Sequence, residues 1–331
     1  MTTLSVMTWN LENLFQPGGS SGPKTEADFT QKLETLATAI SKLDPDVLAV
    51  QEVGQPAAFA DLIQQLNGRY AHTQLSSQPD ARGIRVGFLS KLPIEESEDI
   101  VAFSPSGLPS VPSIDRDGNL DESTRLSRGA LRIRVTPQPG LAVHLLTAHL
   151  KSKLLSFPSR TGQARFTTRD ETERARIAGI ALLQRTAEAV TLRIKATEIL
   201  ERNPDAALIL LGDLNDVTDA ATTQILQGAP GSEIGTGGFN RPDRGDATRL
   251  FNLAGLIAEE RRFSRVFKGN NELIDHIFAS AALLPGQPRR LPMVDSQIDV
   301  IGAMPSIDDD PNERRGKAGS DHAPITARFE L

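Results

Sequence analysis

Ala207-Leu208-Ile209-Leu210-Leu211-Gly212-Asp213-Leu214-Asn215-Asp216 is the stretch on which the fold of this chain turns. Its first five residues are apolar and read as a short buried strand. The strand stops at a glycine, and two carboxylates and an amide follow at once. Upstream, the residues from about Asp170 to Glu201 carry Glu/Arg neighbours around an Ala/Ile/Leu stripe, which predicts a long helix ended by Asn203-Pro204. A helix leading into a strand that ends in polar side chains is the unit of a layered α/β fold, where ligands gather outside strand ends.

The same pattern recurs outward in both directions. Leu4 to Asn10 reads as a buried strand, followed by a polar loop from Gln16 to Pro23. Phe29, Leu33, Leu36, Ile40 and Leu43 then fall on one helical face, and Asp44-Pro45 ends that helix. Val47 to Val50 is a second apolar strand, and it ends in Gln51-Glu52. A short helix is expected from Ala57 to Leu66, with strands at Tyr70–Leu75 and Ile84–Ser90. Residues 104–123, rich in Ser, Pro, Gly and Asp without periodicity, read as a long surface loop. Ala130–Val135 and Leu141–Leu150 form a hairpin across Pro137-Gln138-Pro139-Gly140. Two late strands, Leu273–Ala279 and Pro324–Phe329, carry or follow Asp275-His276 and Ser320-Asp321-His322. Strands adjacent both as hairpins and across helices imply mixed sheets covered by helices in a single domain, 1–331, without internal repeats.

With 331 residues, 39% apolar and 24% charged, the composition is that of a globular protein. The chain has no cysteine, which excludes thiolate nucleophiles, thiolate zinc sites and disulfides. Thirty-six basic and 42 acidic residues give a net charge of −6, which argues against a polybasic coat or anchor. The charge is uneven, however: residues 1–124 hold 8 Lys/Arg against 17 Asp/Glu, while residues 147–176 hold 7 against 3. The segment 151–169 is therefore expected to attract anions at the mouth of a site, through Arg160, Arg165 and Arg169. No apolar run is long enough for a membrane span, and the N-terminus lacks the features of a signal peptide, so the chain as it stands reads as intracellular.

Asn10, Glu52, His149, Asp213, Asn215, Asp275, Asp321 and His322 all sit at or beside the end of an apolar strand. Each alone has a structural reading, as a turn former or a satisfied core group. Together they suit one chemistry. Acids without thiolates suit a hard cation such as Mg²⁺ or Mn²⁺, histidines suit proton transfer or phosphate contact, and asparagines can hold a phosphoryl oxygen. A phosphoester hydrolase uses all three.

The segments Thr8-Trp9-Asn10-Leu11-Glu12-Asn13, Leu48-Ala49-Val50-Gln51-Glu52-Val53, Thr147-Ala148-His149-Leu150-Lys151, Leu211-Gly212-Asp213-Leu214-Asn215, Ile274-Asp275-His276-Ile277 and Gly319-Ser320-Asp321-His322-Ala323-Pro324 resemble, in order, the motifs of the endonuclease/exonuclease/phosphatase (deoxyribonuclease I-like) superfamily. The resemblance implies a four-layer α/β sandwich, two mixed sheets face to face with helices outside, and a site at one edge. It implies Glu52 as principal Mg²⁺ ligand, with Asn10 and Asp321 beside the metal or its waters. Asp213 resembles the residue that activates water, Asn215 the phosphate-binding Asn, His322 the catalytic His with Asp275 as its orienting carboxylate, and His149 a phosphate-contacting His. Abasic-site endonucleases of the superfamily usually carry Tyr at the place of His149, which disfavours DNA-repair specificity. Lys151, Arg125 and Arg128 are candidates for substrate contact. Glu12 has at most a supporting part near Asn10, and His276 reads as structural.

These residues imply a Mg²⁺- or Mn²⁺-dependent phosphodiesterase, first of all a nuclease with nucleic acid as substrate, acting as a monomer. Alternatives are a phosphoesterase for a small molecule or lipid head group, such as an inositol phosphate or sphingomyelin, and a non-catalytic phosphate-binding protein. One Trp and one Tyr leave little for a base-stacking platform, whereas backbone recognition of a duplex needs no aromatics.

Overall fold

The apolar alternation near the N-terminus builds a strand longer than the one read from sequence, because its polar tail also pairs. The computed structural model describes residues 2–115, 117–159, 165–203, 206–241, 247–286, 289–308 and 313–331. β1 (Thr3–Leu14) leads to α1 (Glu26–Leu43), whose first turn is capped by Thr25, its hydroxyl accepting the Asp28 N–H at 3.1 Å. Asp44, left-handed at φ 47, ends the helix, and Pro45 follows it. The chain then returns through β2 (Val47–Val53), α2 (Pro56–Gln65), β3 (His72–Leu75) and β4 (Arg85–Ser90).

The second half of the chain repeats this plan. β5 (Glu96–Ala102), β6 (Val111–Ile114) and β7 (Leu120–Ser123) precede a long hairpin of β8 (Arg125–Gln138) and β9 (Leu141–His149). α3 (Glu171–Arg202), capped by Asp170, then leads to β10 (Ala207–Asp213) and a short α4 (Ala221–Gln224). The remaining strands are β11 (Leu250–Asn252), β12 (Arg265–Phe267), β13 (Asn270–Glu272), β14 (Asp275–Ser280), β15 (Met293–Ser296), β16 (Ser306–Ile307) and β17 (Ile325–Glu330). Residues 104–123, read from sequence as a loop, contain the β6–β7 hairpin. Its strands are only four residues long, broken by Pro112, and apart from Val111, which joins the core, they are half-buried or exposed, so no apolar period marks them. The Asp115 carboxylate closes its turn by accepting the N–H groups of Asp117 and Asn119.

Twelve of the described strands form two six-stranded mixed sheets, ordered β15-β17-β1-β2-β4-β3 and β11-β14-β10-β9-β8-β5, while β13-β12-β16 and β6-β7 pair apart from them. Each six-stranded sheet contains one parallel pair joined by a helix: β1 and β2 across α1, and β9 and β10 across α3. The sheets pack face to face through Val6, Ala49, Val86 and Phe88 of the first and Leu131, Val143, Ile209 and Leu211 of the second. α1 and α2 cover the outer face of the first sheet, and α3 covers that of the second. The expected four-layer sandwich is therefore present. The central strands are buried on both faces, which is why they read as continuous apolar runs. Among the described residues, no helix is long and apolar enough to cross a membrane.

Candidate active site

The parallel pairs end at the same edge of the sandwich. Asn10 pairs with Gln51 where β1 and β2 leave the first sheet, and Asp213 pairs with His149 where β10 and β9 leave the second. Gln51 joins the two, its side-chain amide donating to Thr8 and, across the sheets, to Thr147, each at 3.1 Å. Glu12, Asn13, Glu52 and Asn215 all have φ between 48 and 60. Non-glycine residues seldom adopt this conformation, and here it turns each chain out of its strand toward the cleft. Gly212 has the opposite task. A Cβ there would lie 2.1 Å from the Ala148 carbonyl oxygen, so only glycine lets the exits of β9 and β10 come together.

Asp213 is the hub. Its Oδ2 accepts the Asn10 amide at 2.9 Å and lies 3.4 Å from His149 Nε2, while its Oδ1 accepts the Asn215 N–H at 2.9 Å. His322 Nε2 approaches the same Oδ2 to 4.0 Å, and its Nδ1 is 2.7 Å from Asp275 Oδ2. Ser320 braces this corner by donating to the Asn10 carbonyl at 2.6 Å and accepting the His322 N–H at 3.0 Å. Trp9, fully buried, donates its indole N–H to the His322 carbonyl at 2.8 Å.

Burial and charge set the proton affinities. Burial, then the Asp275 carboxylate, raises the Asp213 pKa to about 6. Burial alone would lower His322, but the paired Asp275 outweighs it and raises the imidazole to about 10, so it carries a proton at neutral pH. His149 goes the other way: burial, then Arg128 and Arg82, push it well below the ordinary histidine value. Glu52 would be raised by burial, yet Arg82 and Arg128 hold it below the ordinary glutamate range.

Asn10, Glu52, His149, Asp213, Asn215, Asp321 and His322 line one cleft of about 1120 Å³, with Arg125, Arg128 and Lys151 along its wall. Asp275 stands fully buried behind His322. Arg128 is buried and Lys151 half-buried, whereas Arg125 is exposed. Arg125 donates to Gln78 at 3.3 Å; Arg128 is buried, donates to the Leu150 carbonyl at 2.8 Å and faces Asp80 at 3.4 Å. The Lys151 backbone is gripped from α3: its N–H donates to Glu188 at 2.6 Å and its carbonyl accepts from Arg185 at 2.9 Å. Burial, then Arg128, lowers the Lys151 ammonium to about 8.

The expected basic mouth differs from its reading. Arg165 is paired with Glu173 at 2.5 Å, and Lys153 with Asp216 at 2.7 Å; Arg160 lies outside the described residues. Among the described residues the segment borders the cleft through Leu154, Leu155, Phe157 and Phe166 as well as through Lys151, Ser152, Lys153 and Ser156. The acids at the start of the long helix, Asp170, Glu171 and Glu173, stand close by in the sequence and offer the alternative of pairing with the arginines of this segment, and Glu173 takes Arg165 in this way. His276 is structural, with its Nε2 2.9 Å from the Asp216 carbonyl. Two further residues carry no local signal: Arg82, which reaches the cleft from the loop before β4, and Arg314, which clamps Glu12 at 2.9 and 3.0 Å. Neither lies in an apolar strand or a motif.

Two groups of residues could hold a cation. Asp213, Asp275 and His322 lie close enough to share one. There His322 Nδ1 and Asp275 Oδ2 are already engaged with each other, while Asp275 Oδ1 has no hydrogen-bond partner. Glu52 and Asp321, with Asn10 beside them, offer oxygen donors only, open to the cleft, and the buried Asn13 Oδ1 next to Glu52 has no hydrogen-bond partner. This set fits a hard divalent ion.

The sequence matches the model of the Endonuclease/Exonuclease/phosphatase family over residues 7–322. Solved structures with this fold include truncated Caenorhabditis elegans TDP2, at 18% identity and TM-score 0.55 over 99% of this chain and 98% of that one. The human Nocturnin catalytic domain, with bound sulfate anion, is similar at 15% identity and TM-score 0.55 over 99% and 94%. TDP2 of D. rerio, in complex with single strand DNA product, matches at 19% and 0.53 over 99% of both chains. No curated protein sequence matches closely enough to count as a relative.

Proposed function

This chain belongs to the Endonuclease/Exonuclease/phosphatase family, hydrolases of phosphoric esters that generally use a divalent metal, and from that premise we propose that it is a Mg²⁺- or Mn²⁺-dependent nuclease. The observation that carries this reading is the meeting at one cleft of Asp213, raised to about 6, and His322, raised to about 10 by the Asp275 carboxylate behind it, next to the oxygen donors of Glu52 and Asp321. The two carboxylate and imidazole environments pull their proton affinities apart, as an acid–base division of labour requires.

In this mechanism Asp213, ionised above about pH 6 and fixed by Asn10 and Asn215, accepts the proton of the attacking water. His322, protonated and oriented by Asp275, donates to a non-bridging phosphoryl oxygen as negative charge builds there. His149, kept neutral, and the Asn215 amide add hydrogen bonds at the same phosphate. The P–O bond opposite the incoming oxygen breaks, and the leaving oxygen departs with the bond pair and takes a proton from solvent water. A bound divalent ion, held by Glu52 and Asp321 beside Asn10, would supply Lewis-acid polarisation of the phosphate. Lys151, Arg125, Arg128 and Arg82 are placed to hold flanking phosphates.

A polymeric substrate is supported by the size of the cleft, about 1120 Å³ against roughly 300–1,000 Å³ for small-ligand sites, and by its cationic wall. The apolar arm of the cleft, Leu126, Leu154, Leu155, Phe157, Ile177 and Ile180, favours a second reading: a phosphodiester with an apolar substituent. All groups in the mechanism come from one chain, so we take the monomer as the acting unit. A panel of plasmid, linear duplex, single strands, RNA, inositol phosphates and sphingomyelin, each with Mg²⁺ or Mn²⁺ and in chelator, tests both readings. Cleavage of polynucleotide, lost in chelator and in Asp213→Asn, is the expected result. Full activity in chelator would remove the metal-assisted reading, and hydrolysis of sphingomyelin alone would replace the nuclease by the second.

A further inference from the structure

α3 carries a buried carboxylate that the chemistry above does not use. Glu188 is only 1% exposed, stands behind the wall of the cleft, and accepts four hydrogen bonds at the strand exits of the second sheet. Its Oε1 accepts the Ser127 N–H at 2.8 Å, the Ser127 hydroxyl, and the Gln184 amide at 2.9 Å. Its Oε2 accepts the Lys151 N–H at 2.6 Å. Ser127 precedes Arg128 on β8, and Lys151 lies two residues beyond His149 at the end of β9, so one carboxylate spans both exits.

The Lys151 N–H belongs to the Leu150–Lys151 peptide, whose other end faces the site. The Leu150 carbonyl accepts from Arg128 Nη1 at 2.8 Å and from the Asn215 side-chain amide at 3.1 Å. That amide has two hydrogens, so Asn215 keeps a second donor for phosphate. The peptide is planar, and its orientation therefore fixes Asn215 and Arg128 together; a carboxylate drawing on its N–H also makes its carbonyl the stronger acceptor. Glutamine could not replace the carboxylate. Its one oxygen would serve either Ser127 or Lys151, and its NH₂ would turn a donor against the other donor.

We propose that Glu188 is a positioning residue, which acts through the Leu150–Lys151 peptide to aim Asn215 and Arg128 at the substrate phosphate. The inference rests on the phosphodiesterase reading of the cleft and holds for a polymer or a small diester alike.

The test is a double-mutant cycle in the full chain, run on whichever substrate of the panel above the wild type turns over fastest, with thermal melting to verify folding. Glu188→Gln is expected to lower kcat by about 100-fold, as a misplacement of about 1 Å does. In an Asn215→Ala background the same substitution should lower kcat by less than about twofold, because the group it aims is gone, and what remains should fall on the Michaelis constant through Arg128. Glu188→Asp keeps the charge but draws it back by about 1.5 Å, out of reach of Ser127 and Lys151 together, and should lose turnover as the glutamine does. It carries the test if Glu188→Gln does not fold. An unchanged kcat in Glu188→Gln or in Glu188→Asp, or an equal loss with and without Asn215, would overturn the inference and leave the proposed function standing. No turnover of any of these substrates by the wild type would remove the proposed function, and this inference with it.

Discussion

The two strand–helix–strand units, β1-α1-β2 and β9-α3-β10, have the same topology and opposite chemistry. Each sets a parallel pair at the centre of its sheet and opens at the shared edge. The first ends in Asn10 and Glu52 with three left-handed residues, and its helix sends a cation, Lys32, toward those acids. The second ends in His149 and Asp213, and its helix sends an anion, Glu188, which accepts from Lys151, Ser127 and Gln184 beside the basic wall. The architecture fixes where side chains emerge, and each connecting helix supplies the charge that its strand exits lack. The first unit thus resembles an ion cradle and the second a proton-handling surface.

The sharpest way to break this division is Asp213→Asn. Turnover is expected to fall by about 10³-fold, with Mn²⁺ affinity nearly unchanged. Glu52→Ala should do the reverse, raising the metal concentration needed by at least about 10- to 100-fold while saturating metal restores much of the rate. If metal titrations of both variants shift alike, the two units do not divide the labour.

Proton linkage sharpens the second unit further. His322 rises from 6.5 to about 10 on folding, so its contribution to stability is complete below about pH 6.5 and is lost as pH climbs through about 10. Denaturant melts of the metal-free chain should therefore weaken across that window, by at most about 1.4 kcal/mol per pH unit. Asp275→Asn should flatten the slope; an equal slope in the variant would assign it to other groups. The smallest effect is expected at Arg165→Ala. Because Glu173 already holds Arg165, the Michaelis constant on polynucleotide should change by less than about twofold and its salt dependence not at all. A flatter salt slope would return that segment to the substrate groove.

The central strands and α1 were legible because burial on two faces, or on one helical stripe, writes itself into apolar spacing. Val47–Val50 and Ala207–Leu211 could be placed from that alone, and the residues at their ends followed. β5 escaped because Glu96-Ser97-Glu98-Asp99 forms an edge strand whose side chains face solvent and pair with Arg132 and Lys195. Lys32 escaped for the opposite reason. It sits one turn after Phe29 beside the buried stripe, where a lysine normally reaches water. Nothing local announces that the segment before Asp321 closes over it. The pairing of Arg314 with Glu12 spans almost the entire chain and likewise has no local signal.

The indole of Trp9 gives the molecule an optical gauge. It is the sole tryptophan, wholly shielded from water, and its N–H rests on the carbonyl of the residue whose ring faces the scissile phosphate in the proposed mechanism. Its emission should be blue-shifted and free of overlapping indoles. A movement of the His322 backbone, whether from ion capture or product departure, would change the intensity of that single fluorophore without any label being attached.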